Sequence, residues 1–389
     1  MVKRGLLTAV FVAAVLVPVA SASPQLQLAV LPLPRTELGA VGRSMPVASD
    51  SGVDSNAHAA SQTTGNVTAA RLKRLGRISG YLLDYGTPFS ASPGISEIQT
   101  EVERYRTPAA ASKSLGFWRK QELNVKPLKA FGLDVSFKKV PLANVPRPNW
   151  AYLSVGRMHG LKPIYAVDAE LVEGAYLLDV SITAGSPGAA KRLAPFIAQK
   201  LVRRFRLAQE GRLHAKPVNL ERGKPGPPAH GPKPSKIVLT KSDVGNPATV
   251  VRAGYVSPRN AFDSYAASAY DLAMSPAGAY ANLEQEVSVA GNALEAKYFA
   301  ALAAGALAHA GGSGGTATTV DVSSVGDNAY GELIQVSVGS KSASEAIVVL
   351  SRGKYLDLVI TAATSKLGAA DVQSLAQKAA HRLNVAVSG

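Results

Sequence analysis

Apolar and polar positions alternate in two series along the chain. In the first, Ile78 to Tyr85, Glu97 to Tyr105, Leu133 to Val140, Trp150 to Gly156, Ile164 to Val172 and Ala175 to Thr183 carry the period-two pattern, or the β-branched and aromatic enrichment, of strands. The second repeats it at Ala248 to Tyr255, Ala281 to Val289, Thr316 to Val325, Tyr330 to Val338, Ser344 to Leu350 and Lys354 to Thr361. Helical spacing follows the second strand of each series, at Pro108 to Leu123 and Asn292 to His309. It also closes each series, at Pro187 to Leu207 and Ala369 to Leu383. In the last of these, Val372, Leu375, Ala376, Ala379 and Leu383 recur on one face. Ser186 and Pro187 suit an N-cap and first position, but Pro195 in the interior costs about 3 kcal/mol and predicts a break. Glu173-Gly174 and Arg352-Gly353 occupy the links of two hairpins, where glycine supplies positive φ, so their flanking strands pair antiparallel.

The two series match in order. Each opens on an apolar stretch ending in acid, apolar, glycine: Val30 to Gly39 and Ile237 to Gly245. Glu101-Val102 and Glu286-Val287 follow, then a helical stretch, then the hairpin with Gly174 and Tyr176 against Gly353 and Tyr355. The expected fold is α+β: two tandem repeats, each an antiparallel sheet packed with two helices and covered mainly on one face. Residues 23–208 form the first repeat and 237–389 the second. Between them, 209–236 holds six prolines and four glycines without apolar periodicity, the composition of a semi-rigid linker. Residues 40–77 have no counterpart in the second repeat and read as a long polar loop.

Lys3 and Arg4, an apolar run from Gly5 to Val17, and Ala20-Ser21-Ala22 make residues 1–22 a secretory leader, with Ser23 the expected mature start. The run is shorter than the roughly 20 residues a membrane span needs. The expected location is therefore extracytoplasmic, in the cell envelope or secreted. The absence of cysteine excludes thiolate metal sites, iron-sulfur clusters, thiol catalysis and disulfides. Charge is unequally shared in a chain of formal net +15. Residues 23–208 carry 24 basic against 13 acidic residues, 209–236 carry 6 against 2, and 237–389 carry 10 against 12. A polyanion partner is thus an expectation for the first repeat alone.

Catalytic and metal motifs are missing, and no cofactor is expected. Gly311 to Gly315 fits Gly-x-Ser-x-Gly, but a nucleophile elbow needs a strand before it and a helix after, and here the order is reversed. The six histidines are scattered without ligand spacing. Asp50, Asp54 and Asn56 bring oxygens close together, yet lack the third ligand and terminal glutamate of a calcium loop. Asn66-Val67-Thr68 is a formal glycosylation sequon. Lys191, Arg192, Lys200, Arg203, Arg204 and Arg206 gather on one helix as a candidate anion-binding face, for an envelope polymer or a lipid headgroup; a solvated face is the plainer alternative. Trp150, Tyr152, Tyr165 and Tyr176 are candidate linings of a pocket for a small apolar ligand, although core packing explains aromatic residues on strands as well.

The segments YAVDAELVEGAYLLDVSITAGSP and VVLSRGKYLDLVITAAT, each leading into a basic-ended helix, resemble secreted actinobacterial sensor-type domains. The similarity is to the extracellular domain of a mycobacterial serine/threonine kinase and covers about the last 50 residues of each repeat. It implies a ligand-binding pocket, but no functional residue carries over, and the disulfides of such domains are impossible here. The expected function is that of a secreted, non-catalytic binding or envelope-associated protein. The alternatives are a secreted hydrolase whose site assembles from distant residues and a structural cell-wall protein.

Overall fold

The computed structural model describes residues 26–48, 51–61, 67–86, 94–125, 129, 133–142, 144–145, 149–158, 162–220, 226–245, 248–256, 266–275, 280–307, 315–325, 328–338, 341–363 and 366–388. The expected leader, Asn66 and Gly311 to Gly314 lie outside them.

The first unit runs α1 (Gly39–Arg43), β1 (Gly52–Asp54), α2 (Asn56–Ser61), α3 (Ala69–Leu75), β2 (Arg77–Gly86), β3 (Ile95–Tyr105), α4 (Pro108–Glu122), β4 (Leu133–Lys139), β5 (Asn149–Met158), β6 (Ile164–Glu173), β7 (Tyr176–Ala184) and α5 (Pro187–Gln209). The second runs α6 (Lys241–Val244), β8 (Thr249–Val256), β9 (Ser268–Ser275), β10 (Asn282–Val289), α7 (Ala293–Leu307), β11 (Gly315–Val320), β12 (Asn328–Val338), β13 (Lys341–Arg352), β14 (Tyr355–Ala363) and α8 (Ala369–Ser388). The fold is α+β with two seven-stranded antiparallel sheets. Their orders, β1-β2-β3-β7-β6-β5-β4 and β8-β9-β10-β14-β13-β12-β11, are the same order read from the first strand of each unit.

Four expectations are corrected. Residues 40–77 are not a loop: they supply β1, which pairs with β2, and three short helices. The counterpart of β2 is β9, whose alanines and serines hide its strand character, while the predicted segment at 248–255 is the edge strand β8, paired with β9. The hairpin links are Gly174-Ala175 and Gly353-Lys354, one residue later than expected, with the glycines at φ 59° and 54°. Helix α5 continues through Pro195, because Ala194, Ile197, Ala198, Leu201, Val202 and Phe205 anchor it on both sides of the proline while the ring sits on a half-exposed flank.

The two helices of each unit cover opposite faces of the sheet, which also differs from the expected one-sided layering. Alternation is the cause: Val167, Ala169, Leu171, Leu178, Val180 and Ile182 face α5, whereas Val172 and Leu177 meet Ala111 of α4 on the other side. In the second unit Val348, Leu350 and Val359 face α8, while Ile347, Val349 and Leu356 face Ala300 and Ala303 of α7.

Each unit also carries a strap across its closing helix, and here the repeated acid-apolar-glycine motif finds its reason. Leu33 N–H donates to Thr100 Oγ1, and Leu239 N–H donates to Gln285 Oε1 at the matching place. Glu37 and Asp243 receive Arg204 and Arg382 from the closing helices. Leu38 and Val244 bury, and Gly39 and Gly245 turn away at positive φ. The linker is docked at both ends: Leu213, Val218 and Leu220 pack on the first core, and Tyr355 donates to the Pro232 carbonyl at 3.1 Å.

Candidate functional site: an acidic cleft beneath a helix

The α4-facing surface of the first sheet is built of acids. By strand register, Asp54 (β1), Asp84 (β2), Glu97, Glu101 and Glu103 (β3), Asp168 and Glu170 (β6) and Asp179 (β7) share this face, and Glu122 joins them from the end of α4. Thus nine of the unit's thirteen carboxylates gather on one face of a basic domain.

One end of this face is closed. Arg77, whose side chain is 0% exposed, donates from Nε to Glu103 at 2.5 Å and from its terminal nitrogens to Asp54, to Glu101 at 3.1 Å and to Asn56 Oδ1 at 3.1 Å. Glu103 also accepts from Tyr105 and, at 3.2 Å, from Trp118 of α4. Burial works to raise the Asp54 carboxyl, but the His58 hydrogen bond and the Arg77 charge outweigh it and hold the group below its usual range. Glu101 goes the other way, driven up by burial and then by Asp54 and Glu103. The carboxyls of Asp54, Glu101 and Glu103 come close enough together to surround a metal ion, and a guanidinium occupies that position. The oxygens of Asp54 and Asn56 that suggested a calcium loop are the ones Arg77 uses; Asp50 lies outside the described residues.

The other end, under the C-terminal half of α4, is a cleft in partial contact with water. Ser181 donates to Asp168 at 2.6 Å, Trp150 Nε1 donates to Glu170 at 2.5 Å, and Thr183 donates to Glu97 at 2.7 Å. Among the described residues the Asp179 carboxyl meets only the backbone amide of Val180, and Glu122 has no hydrogen-bond partner. Burial raises all four of Asp168, Glu170, Asp179 and Glu122. Mutual repulsion adds to it: Asp168 acts on Asp179, Glu122 on Glu170, and Asp168 and Asp179 on Glu122. Yet Asp168, Asp179, Glu122, Ser154 and Ser181 all still touch solvent. Arg119 of α4 lies over the Tyr152 ring at 5.9 Å on the rim of this cleft.

The second unit has the same face and fills it differently. The pair Asp168 opposite Ser181 corresponds in register from the hairpin to Ile347 opposite Ile360, and Glu170 opposite Asp179 corresponds to Val349 opposite Leu358. There an apolar cluster of Ala300, Ala303, Ile347, Val349 and Leu356 lies beneath α7, with Glu286 and Glu332 beside it on the same face.

The residues singled out from sequence divide. Trp150 and Tyr152 stand on the cleft face with their rings in edge contact, 4.7 Å apart. Tyr165 and Tyr176 stand on the opposite face, and Tyr176 packs on Phe205 of α5. Strand alternation therefore prevents the four from lining one pocket. Of the basic set, Lys200 donates to the Glu37 carbonyl and the buried Arg204 to Glu37 and the Val30 carbonyl, so both clamp the strap. Arg206 pairs with Glu173 at 2.8 Å. Lys191 is half-buried, and Arg192 and Arg203 are exposed. Arg203 and Arg206, with Arg212, Asn144 and Gln199, line a hollow of about 370 Å³ at the end of α5. The carboxylates of this face were not proposed as a site from sequence; their signal was acids at alternate positions, Glu101 and Glu103 on one strand and Asp168 and Glu170 on another.

No protein-family model matches the chain, and no curated protein matches it. Among solved structures, the extracellular domain of PknH from Mycobacterium tuberculosis is similar at 15% identity over 44% of this chain and 93% of its own, with a TM-score of 0.29. The di-domain ARO/CYC BexL from the BE-7585A biosynthetic pathway is similar at 7% identity over 82% and 88%, with a TM-score of 0.12. Likenesses at this level carry no functional argument. No helix among the described residues is long and apolar enough to cross a membrane.

Proposed function

We propose that the chain is an extracytoplasmic, non-catalytic binding protein whose first unit holds a ligand in the acidic cleft under α4, with the second unit as an apolar-cored relative of the same build. One observation supports this reading above the rest: at matching register the second unit places Ile347, Val349, Leu358 and Ile360 where the first places Asp168, Glu170, Asp179 and Ser181. Apolar side chains there stabilise a sheet-helix layer, each worth about 1.5 to 3 kcal/mol when buried, whereas clustered carboxylates oppose folding. An arrangement that lowers stability at one place in one of two similar units is the mark of a site. Binding is favoured over hydrolysis because acid and base roles need carboxyls pushed apart in pKa, and these four are all pushed up, burial being the largest cause in each.

The test is to give the first unit the second unit's residues. A variant carrying Asp168→Ile, Asp179→Leu and Ser181→Ile is expected to gain about 2 kcal/mol or more in denaturant unfolding. It is also expected to lose any ligand that native mass spectrometry finds on the protein purified from its own host. A variant no more stable than the parent would mean that the carboxylates serve the fold, and the reading would fall. A second reading, attraction of an anionic envelope polymer or lipid headgroup, is favoured by the arginine-lined hollow at the end of α5.

A further inference from the structure

We propose that the hollow at the end of α5 binds the phosphate group of a phosphate monoester, with Arg203, Arg206 and Arg212 as its donors and Val202 and Leu207 as apolar lining for the ester's carbon body. This rests on the second reading above, attraction of an anionic ligand, and not on the acidic cleft. The three arginines meet because of how the helix ends. Arg203 and Arg206 stand three residues apart on one face of α5. The helix then stops in a Schellman turn: with Gly211 at φ 69°, the Gly211 amide donates to the Ala208 carbonyl at 3.1 Å and the Arg212 amide to the Leu207 carbonyl at 2.8 Å. The turn folds Arg212 back beside the two helical arginines, around a hollow of about 370 Å³. It also occupies the last carbonyls of the helix, including that of Arg206, which accepts from the Glu210 amide, so the negative end of α5 is blunted where an anion would approach.

Two further observations set the hollow apart from an ordinary basic surface. Its lining includes Asn144, at φ 59° the one non-glycine with positive φ among the described residues, and the side-chain amide there is an uncharged donor. The second unit does not repeat the arrangement. Counted from the strap arginines Arg204 and Arg382, the places of Arg203 and Arg206 hold His381 and Asn384. Asn384 accepts from Arg352, which stands where the first unit has Glu173, the partner of Arg206. A closing helix therefore docks without these arginines. The pairs they now make are weak ones. Arg212 meets Glu210 with side chains 71% and 52% exposed, Arg206 is 53% exposed beside Glu173, and Arg203 has no ion pair among the described residues. Charge and shape select the ligand: a guanidinium fork matches two oxygens of one phosphate, and a monoester brings a third oxygen and about 1.5 to 2 negative charges near pH 7. A carboxylate, with two oxygens and one charge, satisfies one fork and leaves the others. The hollow is also of the size of small-molecule sites, so it has room for the carbon body beside Val202 and Leu207.

The experiment is calorimetric titration of the mature chain at low salt with glycerol 3-phosphate and with glutarate, joined to flotation with phosphatidylcholine vesicles that contain or lack phosphatidic acid. Glycerol 3-phosphate is expected to bind at one site, about tenfold or more tighter than glutarate, and more tightly at about pH 7.5 than at about pH 5.5, where the ester loses its second charge. Arg203→Gln and Arg212→Gln, both at exposed positions, should each weaken the ester about tenfold or more while thermal unfolding stays unchanged. Lys241→Gln in the second unit should leave it unaltered. Arg203→Lys keeps the charge and removes the fork, so ester affinity should fall about threefold or more while retention on an anionic column is kept. Vesicle binding that glycerol 3-phosphate competes away assigns a lipid headgroup, and ester binding without vesicle binding assigns a soluble ester. Glutarate binding as tight as the ester, ester binding unchanged in both glutamine variants, or no ester binding would each overturn the phosphate assignment. If the ester fails but column retention still depends on Arg203 and Arg206, the second reading stands and only the ligand class is wrong. If retention is indifferent to them as well, both fall.

Discussion

Asp357 shows how one residue can set the pH response of a unit. It lies on β14 at the register place of Leu178, 0% exposed, with Gln285 Nε2 donating to both its oxygens at 2.8 and 3.1 Å. Burial pushes its carboxyl from 3.8 up to about 7, against the lowering effect of Gln285. The folded unit therefore holds a proton that the unfolded chain releases. The associated stability is full below about pH 4, is lost as pH rises through about 7, and amounts to about 4 kcal/mol. Asp357→Asn keeps an acceptor for Gln285 and cannot ionise. Its denaturant midpoint should stay flat between about pH 4 and 7.5 where the parent declines, and the variant should be the more stable at the upper end. A parent whose stability does not fall over that range would contradict the assignment. Arg77 illustrates the limit of reading residues singly. In sequence it belongs to the basic run from Arg71, yet its side chain is wholly buried among acids that arrive from β1 and β3.

Among the elements, the straps explain why the repeats keep an acid near their start and an arginine in the last helix. Arg204 and Arg382 perform one task with different surroundings: the Arg204 side chain is 7% exposed, and that of Arg382 is 31%. Arg204→Ala leaves the Val30 carbonyl and Glu37 without their donor and should cost about 3 kcal/mol. Arg382→Ala, which breaks a partly solvated pair with Asp243, should cost about 1 kcal/mol or less. Equal costs, measured by denaturant unfolding, would show that burial does not distinguish the two clamps. The strands and main helices were legible because their periodicity is local. The exceptions have local causes as well: β1 is three residues long, and β9 (SAYDLAMS) is poor in β-branched residues. The helix break predicted at Pro195 did not occur because tertiary burial of α5 outweighs the lost hydrogen bond.

At the scale of the molecule, the acids and the bases of the first unit are sorted. With nine of its thirteen carboxylates on the α4-facing side, four acids remain elsewhere in a unit with 24 lysines and arginines, so the rest of its surface is more basic than the net charge conveys. Attraction to an anionic surface is then expected to run through the exposed end of α5. Arg203→Glu with Arg206→Glu should lower the salt needed to elute the protein from an anionic column, whereas Lys241→Glu with Lys366→Glu, an equal change of charge in the second unit, should lower it much less. The difference should shrink near ~0.15 M salt, where the screening length is about 8 Å. Equal effects of the two pairs would mean that net charge alone governs retention. Arg204 is unsuited to this test, because reversing it would break the strap.

Sequence by itself determined most strands and the four main helices, the antiparallel pairing at the hairpins and the likeness of the two units, since all of these follow from local periodicity, turn chemistry and order along the chain. It also determined what chemistry is excluded, through the absence of cysteine. It did not disclose the candidate site. Alternation told that Glu97, Glu101 and Glu103 share a face, and that reading suits a solvated face as well as a cleft. Only the tertiary structure decided that α4 and α5 lie on opposite faces, so that these acids meet Asp168, Glu170, Asp179 and Glu122 beneath a helix. The reason is physical: period-two patterning specifies which side chains point together, while what covers them depends on contacts between segments as much as 89 residues apart, as from Ile95 to Ala184, which no local window contains.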